Sequence, residues 1–147
     1  MARPAAERRH ERGLLDTSVA IELERLDPSR LPVELAISSV TLAELTAGPH
    51  ATGEARERAR RQDRLQRTEA TFDPLPFDAA AARAYGRVYA AVATAGRKAR
   101  GTRAVDLLIA AVAMANELPL YTLNPADFAA VETLVEIVCP TEKERAR

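Results

Sequence analysis

The chain of 147 residues has one cysteine, Cys139, and only two histidines, His10 and His50. A single thiol cannot form an intrachain disulfide, and this shortage of cysteine and histidine argues against a zinc site. Aromatic residues make up 4% of the chain and tryptophan is absent, so base stacking can add only a little to any nucleic-acid recognition. These absences indicate a protein of a reducing compartment that is neither disulfide-stapled nor zinc-dependent.

Long hydrophobic runs are also missing. The longest uninterrupted apolar run covers nine residues, 107–115, whereas a membrane span needs about 20. Residues 1–12 are charged and lack the apolar segment of a signal peptide, so we expect a cytoplasmic protein without membrane contact. Apolar residues make up 47% and charged residues 29% of the chain, which suits one globular domain. We expect that domain over residues 13–140, between polar tails at 1–12 and 141–147.

The chain has no excess of either charge, because Lys and Arg total 21 and Asp and Glu total 21. This balance argues against a simple polycationic nucleic-acid binder. The charges are segregated, however, since residues 104–142 contain no Lys or Arg. Just before them lies a basic stretch without an acid, formed by Arg97, Lys98, Arg100 and Arg103. This segregation fits a basic rim beside an acidic site or an ordinary asymmetric surface, and charge alone does not separate the two.

Short apolar segments alternate with helical segments along the chain. Strands are expected at residues 13–16, 35–37, 72–77, 120–123 and 134–138. Helices are expected at residues 17–25, 38–47, 54–70, 78–95 and 103–117. Pro74 and Pro76 restrict the third segment to a sheet edge. The alternation predicts a three-layer α/β/α domain with a mainly parallel sheet of about five short strands and right-handed crossovers.

Four carboxylates occupy equivalent places in this order. Asp16 and Asp127 follow strand candidates closely, while Glu44 and Asp106 lie in the first turns of apolar helices. In a parallel α/β sheet, the carboxyl ends of the strands and the starts of the following helices share one edge. Four acids at that edge would repel one another unless a cation joined them. Oxygen-only ligands favour hard ions, so the pattern predicts Mg2+ or Mn2+.

Each carboxylate also has an ordinary structural interpretation. Asp106 lies near the start of an apolar helix, where it can pair with an arginine one turn earlier or interact with the helix dipole. Asp16 can act as a helix N-cap, although two hydroxyl residues beside it could do the same. Thr41 and Glu44 have the spacing of a capping box, and Asp127 fits a first-turn acid. The individual acids are therefore weak evidence, and their shared placement carries the hypothesis.

Two groups of arginines are candidates for holding flanking phosphates. One is the basic stretch that ends at Arg103, and the other lies in the predicted helix at 54–70. The second group comprises Arg56, Arg58, Arg60, Arg61, Arg64 and Arg67. Pairs such as Glu57 and Arg61 have i,i+4 spacing, so we favour a solvated helix face for this group.

Four segments taken in order resemble the PIN-domain ribonucleases, in particular the VapC-type toxins of toxin–antitoxin pairs. The matching segments are Leu14-Leu-Asp-Thr-Ser18, Ser38-Ser-Val-Thr-Leu-Ala-Glu-Leu45, Ala104-Val-Asp-Leu-Leu-Ile-Ala-Ala111 and Tyr121-Thr-Leu-Asn-Pro-Ala-Asp-Phe128. The resemblance extends over residues 13–140. It implies a PIN-like domain that cleaves RNA, typically tRNA or ribosomal RNA, with Mg2+ or Mn2+, and so stops translation. It also implies a cognate antitoxin that blocks the site, and a homodimer.

The resemblance implies roles for individual residues as well. Asp16 and Asp106 match the direct metal ligands, Glu44 completes the site or orients water, and Asp127 holds a water or a second ion. Thr17 or Ser18 would place a hydroxyl against the metal shell or the scissile phosphate. The flanking cations expected to hold substrate phosphates are Arg97, Arg100 and Arg103.

Two other functions remain open. The first is a catalytically idle PIN-like module that acts through contacts with partner proteins. The second is a phosphatase of small molecules on a similar sheet, against which stands the absence of a glycine-rich phosphate loop near Asp16.

Overall fold

A computed structural model describes residues 9–96 and 103–141. Arg97 and Arg100, two of the expected phosphate-binding residues, lie outside the described residues. The described packing begins before the expected domain boundary at residue 13. The Arg9 guanidinium donates hydrogen bonds to the carbonyl oxygens of Leu31 and Pro28, at 2.8 and 3.0 Å.

Within the described residues, four short strands form one parallel sheet. Their bounds are β1 Arg12–Leu15, β2 Glu34–Ile37, β3 Leu120–Tyr121 and β4 Ile137–Val138. The order across the sheet is β2-β1-β3-β4, and every neighbouring pair is parallel. The register sets Leu14 opposite Ala36 on one side and Leu120 on the other. The strand that precedes Asp16 is therefore central, and the strand that precedes the Asp127 segment lies beside it.

The fifth expected strand, at residues 72–77, is reduced to a single parallel bridge between Ser38 and Leu75. The Leu75 N–H donates to the Ile37 carbonyl at 2.9 Å, and the Leu75 carbonyl accepts from the Ser39 N–H at 2.8 Å. Pro74 and Pro76 flank this residue, and neither ring nitrogen has a hydrogen to donate. Pairing therefore ends after one residue, at the β2 edge of the sheet.

In residues 9–96 and 103–141, five α-helices connect and cover the strands. Their bounds are α1 Thr17–Glu22, α2 Ser39–Ala47, α3 Ala55–Thr71, α4 Ala79–Ala95 and α5 Ala104–Ala115. Short 3-10 turns lie at Leu23–Arg25, Pro28–Arg30, Gly48–Ala51 and Pro125–Val131. The Asp78 side chain caps α4 by accepting from the Ala81 N–H at 3.0 Å. In the described part of the chain, no helix is long and apolar enough to cross a membrane.

The core divides into two clusters because successive β1 side chains point to opposite faces of the sheet. Leu14 packs with side chains of α4, α5 and the Pro125–Val131 turn, whereas Leu15 packs with Val19 of α1, Ile37 and Tyr121. Helices therefore cover both faces, which confirms the three-layer α/β/α expectation. The backbone of β1 at Gly13 is pressed against the second cluster, since a Cβ there would lie 2.6 Å from the Tyr121 ring.

Candidate active site

The carboxyl ends of β1 and β3 lie side by side at one edge of the sheet. Asp16 directly follows β1, and its backbone N–H donates to the Tyr121 carbonyl at 2.9 Å. Thr122 directly follows β3, and its N–H donates to the Val138 carbonyl at 3.0 Å. The segment after β3, which carries Asp127, therefore starts beside Asp16.

Asp16 is buried and acts as the N-cap of α1. Its Oδ1 accepts hydrogen bonds from the Val19 N–H at 3.0 Å and from the Ser18 hydroxyl at 2.6 Å. The expectation that Thr17 or Ser18 could cap in its place is wrong, because both hydroxyls are used elsewhere. Burial raises the pKa of Asp16, and hydrogen bonds from Ser18, Thr122 and the Val19 N–H offset part of the rise. No ion pair to Asp16 is present among the described residues.

Ser18 and Thr122 tie the two strand ends together around Asp16. The Ser18 oxygen accepts from the Leu123 N–H at 3.1 Å while its hydroxyl donates to Asp16. Thr122 is fully buried, hydrogen-bonds to Asp16, and accepts from the Asn124 N–H at 3.0 Å. The sequence prediction missed Thr122, although a hydroxyl residue directly after a strand at this edge is the available signal. Both hydroxyls therefore fix the Asp16 carboxylate.

Glu44 projects toward α1 from the second turn of α2, so the expectation of a first-turn position is wrong. Its Oε1 accepts from the Thr17 hydroxyl at 2.5 Å, and the Thr17 oxygen lies 3.1 Å from that of Thr41. The capping-box interpretation is wrong. Ser38 is the N-cap of α2, and its hydroxyl oxygen accepts from the Thr41 N–H at 3.1 Å. Glu44 is therefore not needed to cap the start of the helix. The Glu44 carboxylate can therefore contribute to a site at this edge of the sheet.

Asp106 is buried in the first turn of α5 and is paired with Arg103. Its Oδ2 accepts from the Arg103 N–H at 3.1 Å, and its Oδ1 lies 3.4 Å from the Arg103 guanidinium. The same guanidinium reaches Glu44 at 3.7 Å. Asp106, followed by Glu44 and Asp127, raises the pKa of Arg103. The structural interpretation of Asp106 as the partner of Arg103 is confirmed, but this arginine also bridges to a second carboxylate.

The four acids form one electrostatic group at the edge of the sheet. Asp106 adds a small upward contribution to the pKa of Asp16, and Arg103 interacts with Glu44, Asp106 and Asp127. One guanidinium, whose side chain is 62% exposed, thus faces three carboxylates, and Asp16 is linked to them through the charge of Asp106. A net negative potential remains, and it favours a further cation.

The four carboxylates are chemically suited to bind a hard metal ion. All four side chains offer carboxylate oxygens, the ligands that Mg2+ and Mn2+ prefer. Within residues 9–96 and 103–141, however, no three carboxylate, imidazole or thiol groups are arranged to hold one ion. The ion pairs of Arg103 account for the positions of Glu44 and Asp106. Coordination therefore requires these two side chains to exchange the guanidinium for the metal.

The fold and the site together define a three-layer α/β domain with an all-carboxylate centre at the carboxyl edge of a parallel sheet. The PIN domain family model matches residues 13–134. The chain therefore belongs to the PIN-domain family, and within it to the VapC ribonucleases, because it is 40% identical over 131 residues to Ribonuclease VapC5 of Mycobacterium tuberculosis. That match covers 86% of this chain and 93% of VapC5.

Other relatives agree with this assignment. Ribonuclease VapC8 of Mycobacterium tuberculosis is 37% identical over 102 residues, which cover 69% of this chain and 89% of VapC8. The crystal structure of VapBC-5 from Mycobacterium tuberculosis, a member of the VapBC toxin–antitoxin systems, matches with a TM-score of 0.75 and 38% identity, over 88% of this chain and 97% of that chain. FitAcB from Neisseria gonorrhoeae matches with a TM-score of 0.64 and 26% identity, over 86% and 96% of the two chains. The resemblance drawn from the four sequence segments is confirmed.

Proposed function

We propose that this protein is a metal-dependent endoribonuclease and the toxin of a toxin–antitoxin pair. The observation that carries the proposal is the placement of Glu44, Asp106 and Asp127 around one largely exposed guanidinium at the carboxyl edge of the sheet, with Asp16 close enough to Asp106 for its pKa to be affected. The 40% identity to a VapC ribonuclease supports the same activity.

Asp16 and Asp106 would hold a divalent Mg2+ or Mn2+ ion, with Glu44 and Asp127 completing the site. When bound, the ion supplies a nucleophile from water and stabilises charge on the phosphate oxygens. Ser18 keeps the Asp16 carboxylate in place, and Thr17 does the same for Glu44. Arg103, once released from its carboxylates, is positioned to bind a substrate phosphate. In-line attack on the phosphodiester would leave a 5′-phosphate and a 3′-hydroxyl.

The substrate and partners follow from the same assignment. We propose tRNA or ribosomal RNA as the target, with inhibition of translation as the consequence and the cytoplasm as the location. A cognate antitoxin is proposed because VapBC-5 is a member of a family of toxin–antitoxin systems and another structural neighbour is a toxin–antitoxin complex from Klebsiella pneumoniae. A homodimer is proposed for the toxin.

The test of this function is the dependence of RNA cleavage on metal. The purified protein, treated with EDTA and then returned to millimolar Mg2+ or Mn2+, is expected to cut a mixture of tRNA and ribosomal RNA only after metal is restored. Sequencing of the RNA ends identifies the target and the 5′-phosphate. Cleavage that continues undiminished in EDTA, or no cleavage of any RNA with either metal, would contradict the proposal.

A second candidate is a catalytically idle module that binds partner proteins. The ion pairs from Arg103 to Glu44 and Asp106 favour it, because they neutralise two of the acids without a metal. A rise in melting temperature with Mn2+ separates the two functions. The idle module predicts no rise at millimolar metal, whereas the nuclease predicts a rise that Asp16→Asn removes.

Replacing Arg103 by alanine is expected to tighten Mn2+ binding about 5-fold. The variant removes two ion pairs of an exposed side chain, each worth about 0.2–1 kcal/mol, that compete with the metal for Glu44 and Asp106. The measurement is the Mn2+ concentration at the midpoint of a calorimetric or thermal-shift titration. Arg60→Ala is the control, because Arg60 is an exposed partner of Glu57 on α3. Unchanged or weaker binding in Arg103→Ala would contradict the exchange.

A further inference from the structure

Most of the arginines of α3 already have partners. Arg58 donates to the carbonyl oxygens of Pro49 and Thr52, at 3.3 and 3.0 Å. Arg61 donates to the Gly48 carbonyl at 2.9 Å and to Glu57 at 3.0 Å. These two side chains therefore hold the turn after α2 against α3 and are not available to a ligand.

Two further arginines of the helix are neutralised by acids. Arg60 pairs with Glu57 at 3.3 Å, and Arg67 pairs with Asp63 at 2.6 Å and with Glu24 at 3.3 Å. In this part of α3, the structure contains the solvated, ion-paired helix face that the sequence favours.

Arg64 differs from its neighbours. It is half-buried, and within the described residues its guanidinium has neither a hydrogen-bond partner nor an ion-pair partner. Arg56 also lacks a partner there, but it is exposed and lines neither of the two cavities beside Arg64. Arg64 is therefore the one α3 arginine that combines a free charge with a recessed position in the described structure.

Arg64 lies where two cavities meet. One cavity, of about 430 Å³, is lined by Thr17, Glu44 and Arg64, so it opens onto the acidic edge. The other, of about 420 Å³, runs between the α1 region and α3 and ends near Phe72. Both are lined by Arg64, and both have volumes in the range of sites that hold a nucleotide-sized ligand.

The other charged side chains that line the two cavities all have ion-pair partners. Glu22 pairs with Arg25 at 3.6 Å, and the Thr68 hydroxyl donates to the Arg64 backbone carbonyl at 2.8 Å. Among the described residues, Arg64 is therefore the one charged side chain lining these two cavities that has no ion-pair partner. A guanidinium binds phosphate oxygens with two parallel hydrogen bonds, and partial burial strengthens such a contact.

We infer that Arg64 binds a phosphodiester of the RNA substrate beside the scissile bond, in the cleft between α1 and α3. The inference rests on the proposed function and extends it, since it gives the substrate strand a path away from the acidic edge. RNA is favoured over a protein partner because the cavity is continuous with Thr17 and Glu44, where the reacting phosphate would lie.

The test compares Arg64→Ala with Arg56→Ala, its matched control on the same helix. With a single-stranded RNA substrate, Arg64→Ala is expected to raise KM about 10-fold and to change kcat less than about 2-fold, as one lost phosphate contact predicts. The slope of log KM against log salt concentration should fall by about 0.7. Arg64→Lys should recover part of the loss, and Arg56→Ala should resemble the unchanged protein. The midpoint of the Mn2+ thermal shift should stay the same in all three variants.

Binding of a fluorescent RNA in EDTA, followed by anisotropy, separates this inference from the proposed function. Weaker binding by Arg64→Ala, but not by Arg56→Ala, supports the phosphate contact even when no variant cleaves RNA. Equal KM and equal RNA affinity in Arg64→Ala and the unchanged protein would overturn it. Loss of antitoxin binding with RNA affinity unchanged would also overturn it, and would assign the cleft to the protein partner.

Discussion

Asp16→Asn is expected to lower RNA cleavage at least about 100-fold while making the folded protein more stable at neutral pH. The asparagine oxygen can still accept from the Val19 N–H, so the cap of α1 is retained. What disappears is a buried negative charge that has no ion-pair partner among the described residues. That charge is the proposed metal ligand and is also a cost to folding.

The direction in which Asp16→Asn changes the free energy of unfolding follows from how that free energy depends on pH. Burial raises the pKa of Asp16 in the folded protein above 3.8, its ordinary value. The folded state therefore takes up the proton more readily than the unfolded state. The resulting stability is fully present below the unfolded pKa and is lost as pH rises through the folded pKa. The stabilising effect of Asp16→Asn should therefore be largest at neutral pH and should vanish below about pH 3.8.

Urea unfolding of both proteins across that pH range measures the difference. Asp27→Asn is the control, because Asp27 is an exposed N-cap whose pKa is lowered by hydrogen bonds from Ser29. A lowered pKa gives stability that is present above the unfolded pKa and lost as pH falls, so this control should show the opposite sign. Cleavage at the unchanged rate, or an Asp16→Asn protein less stable at pH 7 than the original, would contradict the assignment.

The position of the acidic site follows from the sequence because strand and helix order determine it. Once β1 and β3 are parallel, residues that directly follow them must meet at one edge, and so Asp16 and the Asp127 segment are brought together. The starts of α2 and α5 lie at the same edge, which places Glu44 and Asp106. This inference needs only the apolar pattern and the direction of the strands.

The contacts within the site could not be predicted in the same way. Three adjacent residues can each cap a helix, namely Asp16, Thr17 and Ser18. Their backbone conformation and tertiary contacts decide which of them does so. The bridge from Arg103 to Glu44 joins residues far apart in sequence, through an exposed side chain with several accessible rotamers. Local spacing identified Asp106 as a partner of Arg103, but no periodic pattern indicates the second carboxylate.

The sequence predicts one strand more than the described residues form, and the reason is related. Residues 72–77 are apolar enough for a strand, but ladder formation requires backbone donors, which Pro74 and Pro76 lack. The sequence correctly indicates an edge position, and the structure retains one bridge at Leu75. The apolar character of a segment thus predicts that it pairs with the sheet. The number of residues that pair depends on how many backbone N–H groups can donate.

Asp106→Asn is expected to lower cleavage by a similar factor, at least about 100-fold, but with the opposite effect on stability. Unlike Asp16, Asp106 has a cationic partner at 3.4 Å and lies at the positive end of α5. An asparagine can still accept from the Arg103 N–H, but it loses the ion pair and the charge–dipole attraction. We therefore expect a loss of at most about 1 kcal/mol in the free energy of unfolding at neutral pH, since Arg103 is largely exposed.

Cleavage rates and urea unfolding at pH 7 for the two asparagine variants separate catalysis from folding at this site. Glu34→Gln serves as the control for Asp106→Asn, because Glu34 is also paired with an arginine but lies at the start of β2, away from the acidic edge and from the cavities that Arg64 lines. If both catalytic variants lost cleavage while their stabilities moved in opposite directions, unfolding could not explain the loss. An Asp106→Asn protein that cut RNA at the original rate would remove Asp106 from the metal site. In that case the Arg103 ion pair would be its whole role.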